Sequence, residues 1–284
     1  MGIFSGCLLA CDIDGTLLYN GVLPQKNIEA MEYFKSEGGL VCLATGRTAS
    51  AVSPVTEIYN GFAPCVVGNG SMIYDTVNKK TVWETYIDAS GFECIKAAQA
   101  AAPGLGIEVH CGDKVYTLKE TAETKDHQDY EGMTSETVSF NDILSRTPNK
   151  ILYLFDHEGQ QAAVKEAIKA IGSPCAFYDT VVKIYGKTRI YLEQMPRGVS
   201  KVSGLMKLLD ILNIKKENFF AVGDGYNDVE MLSAAAFSGC PAGAPDTVKE
   251  RADIIVGDAV EGAVADFIYT LKRRVHTDGQ TKKD

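Results

Sequence analysis

The sequence has no surplus of basic residues. Lys and Arg total 28 against 37 Asp and Glu, a formal net charge of -9. Nucleic-acid affinity draws mainly on a basic face that neutralises phosphates, so a nucleic-acid partner is not expected. The only basic cluster, Lys272-Arg273-Arg274 with Lys282-Lys283, lies at the far end and reads as a helix end running into a solvated tail. Zinc spacing is also lacking. None of the eight cysteines forms a Cys-x-x-Cys pair, and His110, His127, His157 and His276 are far apart. Cys7, Cys11, Cys42 and Cys65 sit in apolar runs, where a thiol acts as a small hydrophobe; a reducing cytoplasm fits that usage. No apolar stretch is long enough to cross a bilayer, and the N-terminus has no charged segment before its short apolar run. Met1-Gly2 fails the myristoylation pattern because position 6 is Gly6. No membrane association is expected.

What is present is an ordinary globular composition, 45% hydrophobic and 23% charged over 284 residues, enough for one large or two modest cores. Leu8 to Ile13 is a short apolar run ending in Asp12, Asp14 and Gly15, which reads as a buried strand entering a loop. A helix from about Pro24 to Glu37 follows, with Ile28, Met31 and Phe34 at helical spacing and Gly38-Gly39 as its stop. Leu40 to Ala44 is a second strand ending in Thr45-Gly46-Arg47. A helical stretch to Tyr59 leads to a third strand at Cys65–Gly68 and to Asn69-Gly70. Alternating strands and helices predict an α/β fold with a Rossmann-like parallel sheet.

After Asn69 the rhythm changes. A hairpin over 71–86, strand pairs near 107–119 and 176–194, a strand at 151–155 and helices near 90–102 and 160–171 predict an α+β module, with a polar stretch between 120 and 140. The parallel rhythm returns after Pro196. Ser200 caps a helix whose apolar side is Val202, Leu205, Leu208, Leu209 and Leu212. Phe219–Val222 opens on Gly223-Asp224-Gly225-Tyr226-Asn227-Asp228, a loop follows through Gly239–Pro245, and Ile254–Val256 precedes a closing helix lined by Val260, Val264, Phe267, Ile268 and Leu271. The expected organisation is a core of residues 1–82 and 195–284 with an α+β cap domain, 83–194, inserted into it.

Ligands of an open parallel sheet bind at the carboxyl ends of its strands, and four polar clusters fall there. Asp12, Asp14, Asp224 and Asp228 would crowd several carboxylates into one crevice, which is tolerable only beside a cation. Mg²⁺ suits a set of carboxylates, phosphate and water. A carboxylate can attack phosphorus and divide one slow hydrolysis into two steps. Asp14, two residues after Asp12 and on the same side of an extended chain, suits the acid/base role.

Asp12-Ile13-Asp14-Gly15-Thr16, followed in order by Thr45, Lys201 and Gly223 to Asp228, resembles the four motifs of the haloacid dehalogenase superfamily. Thr45-Gly46-Arg47, Asn69-Gly70 and the position of the inserted module resemble its Cof-type group, subfamily IIB. The resemblance spans residues 7 to 270. It implies that Asp12 is the nucleophile and Asp14 the general acid/base near the metal. Thr45 and Lys201 would hold the transferring phosphoryl; Asp224 and Asp228 would bind Mg²⁺, together with Asp12 and the Asp14 region. Gly46, Arg47, Asn69 and Asn227 complete the expected substrate site, and the cap would select the substrate. Asp14 is the residue such phosphatases and mutases carry. The segment Gly239 to Pro245 lacks the Gly-Asn-Ala of Cof-type relatives.

The expected function is therefore Mg²⁺-dependent hydrolysis of a small phosphorylated metabolite, a sugar phosphate first, by a cytoplasmic monomer through an aspartyl-phosphate on Asp12. A phosphomutase of the same fold and a non-catalytic sensor of phosphorylated metabolites are the alternatives. Among cap residues, Lys183, Lys187 and Arg189 are candidates to reach a second anionic group. Trp83 and Tyr226 read as packing residues.

Overall fold

A computed structural model describes residues 2–280, with side chains through Val275. Lys282 and Lys283 lie outside the described residues. The first part of the chain runs β1 (Leu8–Cys11), α1 (Gln25–Ser36), β2 (Leu40–Leu43), α2 (Ser53–Ile58), β3 (Cys65–Val67), β4 (Met72–Asp75) and β5 (Lys80–Glu84). Then follow α3 (Ala89–Ala101), β6 (Gly106–Cys111), β7 (Lys114–Lys119), α4 (Ala122–Glu131), β8 (Ser135–Thr137), α5 (Phe140–Ile143), β9 (Lys150–Phe155), α6 (Glu158–Ile171), β10 (Ala176–Ile184) and β11 (Lys187–Met195). The last part is α7 (Lys201–Leu212), β12 (Phe219–Val222), α8 (Val229–Ala234), β13 (Phe237–Pro241), α9 (Asp246–Lys249), β14 (Ile254–Val256) and α10 (Ala263–Gln280).

The chain divides into two compact units. One comprises residues 1–46, 53–82 and 200–284; the other comprises 47–52 and 83–199. The first unit is built on a five-stranded sheet in the order β14-β13-β12-β1-β2, parallel throughout. Every residue of β1 and β12 is buried, as a parallel sheet covered on both faces requires. Strand order reverses between β1 and β12, the switch point where the loops after two strands part and leave a crevice.

Four local readings differ from the sequence expectation. The third strand, β3, pairs antiparallel with β4 in a small sheet that includes β5, and meets the parallel sheet at the Ala44–Val66 bridge. The supposed loop at Gly239–Pro241 is the end of β13, a wholly buried strand. Its Gly, Ser, Cys and Pro content disguises it. Gly239 is there for space, since a Cβ would stand 2.6 Å from the Phe267 ring. Val260 precedes the closing helix and is 56% exposed, and Tyr226, read as packing, is 68% exposed. Lys272 and Arg274 lie over the rings of Tyr33 and Phe237.

The second unit carries a six-stranded sheet ordered β10-β11-β9-β6-β7-β8, antiparallel except for β7–β8. Ile107, Val109, Ile151, Tyr153 and Leu192 make an apolar core with Ile95 and Ala98 of α3 and Val164 and Ile168 of α6. The alternate residues carry a buried polar layer. Glu108 takes His127 Nδ1 at 2.8 Å and Gln128 Nε2 at 2.8 Å, with His110 Nε2 at 3.5 Å. Lys150 pairs with Glu193 at 2.8 Å. Arg189, a candidate ligand contact in the sequence, is buried against Glu123 and Asp126. The stretch from 120 to 140, which reads only as polar, holds α4 behind a Thr121 capping box, and α4 supplies His127 and Glu123.

Candidate active site

Asp12 leaves the end of β1, its N–H donating to Val222 O at 2.9 Å, so the chain after β1 is tied to the end of β12. That pairing sets Asp12 beside the 223–228 loop. The carboxylates of Asp12, Asp224 and Asp228 each offer an oxygen within 4.8 Å of the others. Asp228 is fully buried and Asp12 is 8% exposed.

Lys201 meets this acidic group from the first turn of α7. The helix begins with Ser200 as N-cap, whose hydroxyl accepts from Ser203 N, and the Ser203 hydroxyl accepts from Ser200 N in return. This fixes where the Lys201 stem departs. Its ammonium, 1% exposed, donates to Asp12 Oδ1 at 2.6 Å and Asp228 Oδ1 at 2.7 Å. Burial alone would lower the lysine pKa, but the two carboxylates outweigh it and hold the value above the ordinary one. Lys201 is therefore charged.

The second oxygen of Asp228 is also occupied. Oδ2 accepts from the N–H groups of Asp224 and Gly225 at 3.1 and 2.8 Å, folding the loop around its own last residue. A Cβ at Gly223 would stand 2.5 Å from the Asp228 carboxyl carbon, so only glycine lets the backbone come this close. Asp224 Oδ1 accepts from Thr16 Oγ1 at 2.7 Å. Thr16, fully buried, is a site-building residue that the sequence shows only as a motif member.

The electrostatics follow from this crowding. Burial raises the Asp12 carboxyl well above its usual range; Lys201 draws it down, while Asp228, Asp224 and Asp14 push it up again. Asp224 is pushed up to about 6, mainly by burial and partly offset by the Thr16 hydrogen bond. Asp14 behaves differently. It lies exposed in the loop after β1, near enough to raise both neighbours, but its carboxylate is not one of the three that converge.

A second strand of the site runs through amides. Thr45, buried at the end of β2, donates its N–H to Val66 O and accepts from Asn69 N at 2.9 Å. Asn69 adopts φ +50°, a left-handed conformation asparagine tolerates, and its Oδ1 accepts from Asn227 Nδ2 at 3.0 Å. Gly46 backs this carboxamide, since a Cβ there would stand 3.2 Å from it. The next residue, Gly70, has φ +101°, and a Cβ there would fall 2.0 Å from Ser200 O. Thus the loops after β2, β3 and β12 and the start of α7 are locked together. Arg47 falls in the 47–52 segment of the second unit, where its Nη1 donates to Ala51 O at 3.2 Å.

The fit to a hard divalent cation can be judged from these contacts. Three carboxylates converge, and those of Asp12 and Asp224 have raised pKa values. The oxygen-only donor set matches Mg²⁺.

Known proteins share this arrangement of the chain. Residues 9–268 match the haloacid dehalogenase-like hydrolase family. The chain is 27% identical to the pyridoxal phosphate phosphatase YbhA of Escherichia coli, over 93% of this chain and 97% of that protein. It is 22% identical to the 5-amino-6-(5-phospho-D-ribitylamino)uracil phosphatase YitU of Bacillus subtilis, over 92% and 96%. A solved subclass IIB sugar phosphatase superposes with a TM-score of 0.80 at 20% identity, covering 94% of this chain and 99% of that one. With the family match running from β1 into α10, the chain belongs to the haloacid dehalogenase-like hydrolases.

Proposed function

We propose that the protein is a Mg²⁺-dependent phosphatase acting on a small phosphate monoester, with Asp12 as the nucleophile. The observation that carries this reading is the buried Asp12–Lys201–Asp228 triad beside Asp224. A lysine held at a carboxylate in a buried acidic crevice suits attack on a dianion better than binding alone.

Asp12 and Asp224 would hold the cation directly. Asp228, whose oxygens are taken by Lys201 and two backbone N–H groups, would reach it through water. When bound, Mg²⁺ neutralises phosphate charge and screens its repulsion from the carboxylates. Asp12 forms a bond to phosphorus as the ester P–O bond breaks, and Asp14 gives its proton to the departing alkoxide. Water then attacks phosphorus, Asp14 takes a proton from it, and the Asp12–phosphate bond breaks. Lys201 fixes the Asp12 carboxylate and holds the transferring oxygens with Thr45. The exposed setting of Asp14 supports its role, because an acid/base group must exchange protons with solvent between turnovers. Asn227, held by Asn69, lines the same end of the sheet.

The second unit, with Arg47, is assigned the choice of substrate. Relatives named for pyridoxal phosphate and for a phosphoribitylaminouracil support testing vitamin-like as well as sugar-like phosphates. Eight cysteines with no disulfide among the described residues accord with a cytoplasmic setting. No helix among the described residues is long and apolar enough to cross a membrane.

The test is phosphate release from a panel of phosphorylated sugars, nucleotides and pyridoxal phosphate, with and without chelator. Turnover that needs Mg²⁺ and disappears in Asp12→Asn supports the reading. Activity that survives either change sinks it. Tight binding without release would favour a sensor, and transfer to a second sugar hydroxyl in preference to water would favour a mutase.

A further inference from the structure

The two edges of the second unit's sheet are unlike. β8, at one edge, has three residues, a short strand of the kind that blunts an edge. β10, at the other, runs for nine residues without proline; Asp179, Val181 and Lys183 along it and Tyr185 just beyond it are exposed, Val181 by 65% and Tyr185 by 69%. A long open edge offers a row of N–H and C=O groups to another strand.

The hairpin tells which groups face outward. Tyr185 and Gly186 both have positive φ, +50° and +76°, the signature of a type I′ two-residue turn. Such a turn is closed by a hydrogen-bonded pair, here Ile184 with Lys187. The even-numbered residues of β10 therefore bond to β11. Asp179, Val181 and Lys183 point their backbone groups at the open edge.

These three residues form a self-complementary set. In antiparallel pairing of two copies about Val181, the two valines oppose each other. Asp179 of each copy then opposes Lys183 of the other, and about six backbone hydrogen bonds close the ladder. Centring one residue earlier would place Asp179 against Val181, and one later would place Val181 against Lys183; neither makes the charge pair. Opposite charges at symmetric positions do not guard an edge against its own copy, as charges of one sign would. Asp179 already binds Lys165 and Gln161 at 2.6 and 2.8 Å, which holds its carboxylate in place for a second ammonium. The same register brings Tyr185 of the second copy opposite Phe177. Phe177 lines a groove of about 490 Å³ with Ile168, Leu192 and the stems of Lys165 and Lys169.

We propose that β10 is a homodimerisation strand, joining two copies of this chain in an isologous antiparallel pair centred on Val181. The monomer expected from the sequence rested on the enzyme's needing no partner for its chemistry; the edge strand supplies a separate reason to associate.

Sedimentation of the full chain at tens of micromolar tests this, with helix content and melting temperature recorded for each variant. The wild type is expected at twice the chain mass. Asp179→Lys and Lys183→Glu, each counted twice by the symmetry, should raise the dissociation constant at least about tenfold by setting like charges opposite. The double variant, with the charges exchanged, should recover the dimer. Val181→Pro removes only an outward-facing N–H, a place where an edge strand accepts proline, and should give a folded monomer. A wild type that stays monomeric overturns the proposal. So does a dimer indifferent to all these changes, or a charge-exchanged variant no better than its singles.

Discussion

Lys201 and Asp12, 189 positions apart in sequence, are joined by a 2.6 Å buried ion pair. Asp228 shares the same ammonium, so one cation is set against three converging carboxylates. Removing the lysine and removing the nucleophile should therefore act on stability in opposite directions, although both should abolish turnover.

Lys201→Met leaves two buried carboxylates without their cation and should cost about 3–5 kcal/mol, read from urea unfolding in the absence of divalent ions. Asp12→Asn should lower kcat by at least about a thousandfold while leaving the metal-free protein as stable as the wild type or more so. A destabilised Asp12→Asn would show that the carboxylate crowding described here is already relieved in the free protein.

Metal-free stability should depend on pH through Asp224. Its folded value of about 6 lies above the ordinary 3.8, so between those values the folded state holds more protons than the unfolded one. Stability from this group falls as pH rises through that window. The raised value of Asp12 acts in the same direction. Addition of Mg²⁺ should raise the melting temperature more at pH 7 than at pH 5, with proton release on binding measurable by calorimetry in buffers of different ionisation enthalpy. An equal shift at both pH values would remove these two carboxylates from the metal site.

Gly70→Ala tests the lock between the loop after β3 and the start of α7. A methyl at φ +101° would also fall 2.0 Å from Ser200 O, so the backbone must move. A loss of about 1–3 kcal/mol is expected for the strain alone, together with a fall in kcat as Ser200 and Lys201 shift. Unchanged turnover in a folded variant would mean that α7 keeps its place without this contact.

The polar layer of the second unit gives a fourth prediction. Burial lowers the His127 pKa, but attraction and hydrogen bonding to Glu108 more than compensate, and the net value lies above 6.5. Its contribution to stability is complete below pH 6.5 and is lost as pH rises through the folded value. The His127 ring protons should titrate above 6.5 by NMR and shift downward in Glu108→Gln. A His127 that titrates below 6.5 in the wild type would mean Glu108 fails to offset burial.

The sequence was most legible where chemistry and strand ends coincide. Asp12, Thr45, Asn69, Lys201 and Asp224 to Asp228 are placed by short buried strands and a capped helix, both of which have local signatures. Arg47 was grouped with these residues through the Thr45-Gly46-Arg47 motif, and it is at this residue that the chain passes into the other unit. β13 was hidden because a strand buried on both faces needs small residues under a helix, and Gly239 and Cys240 look like a turn. α4 was hidden because its inward face carries Glu123, Thr124 and His127; Glu123 and His127 pair with β11 and β6, and Thr124 closes the capping box with Thr121. No helical periodicity of apolar residues marks a face that buries ion pairs.

The pairing of β1 with β12 has a consequence for how the chain is made. Leu8 to Cys11 bond on one side to strand residues some two hundred positions later, so the central sheet cannot close until the last third of the polypeptide has emerged. The strands β6 to β11, which among the described residues pair only with one another, are complete before that point. The inserted unit is thus free to fold first on the ribosome, while the N-terminal strand that carries Asp12 waits, apolar and half-paired, for its neighbour.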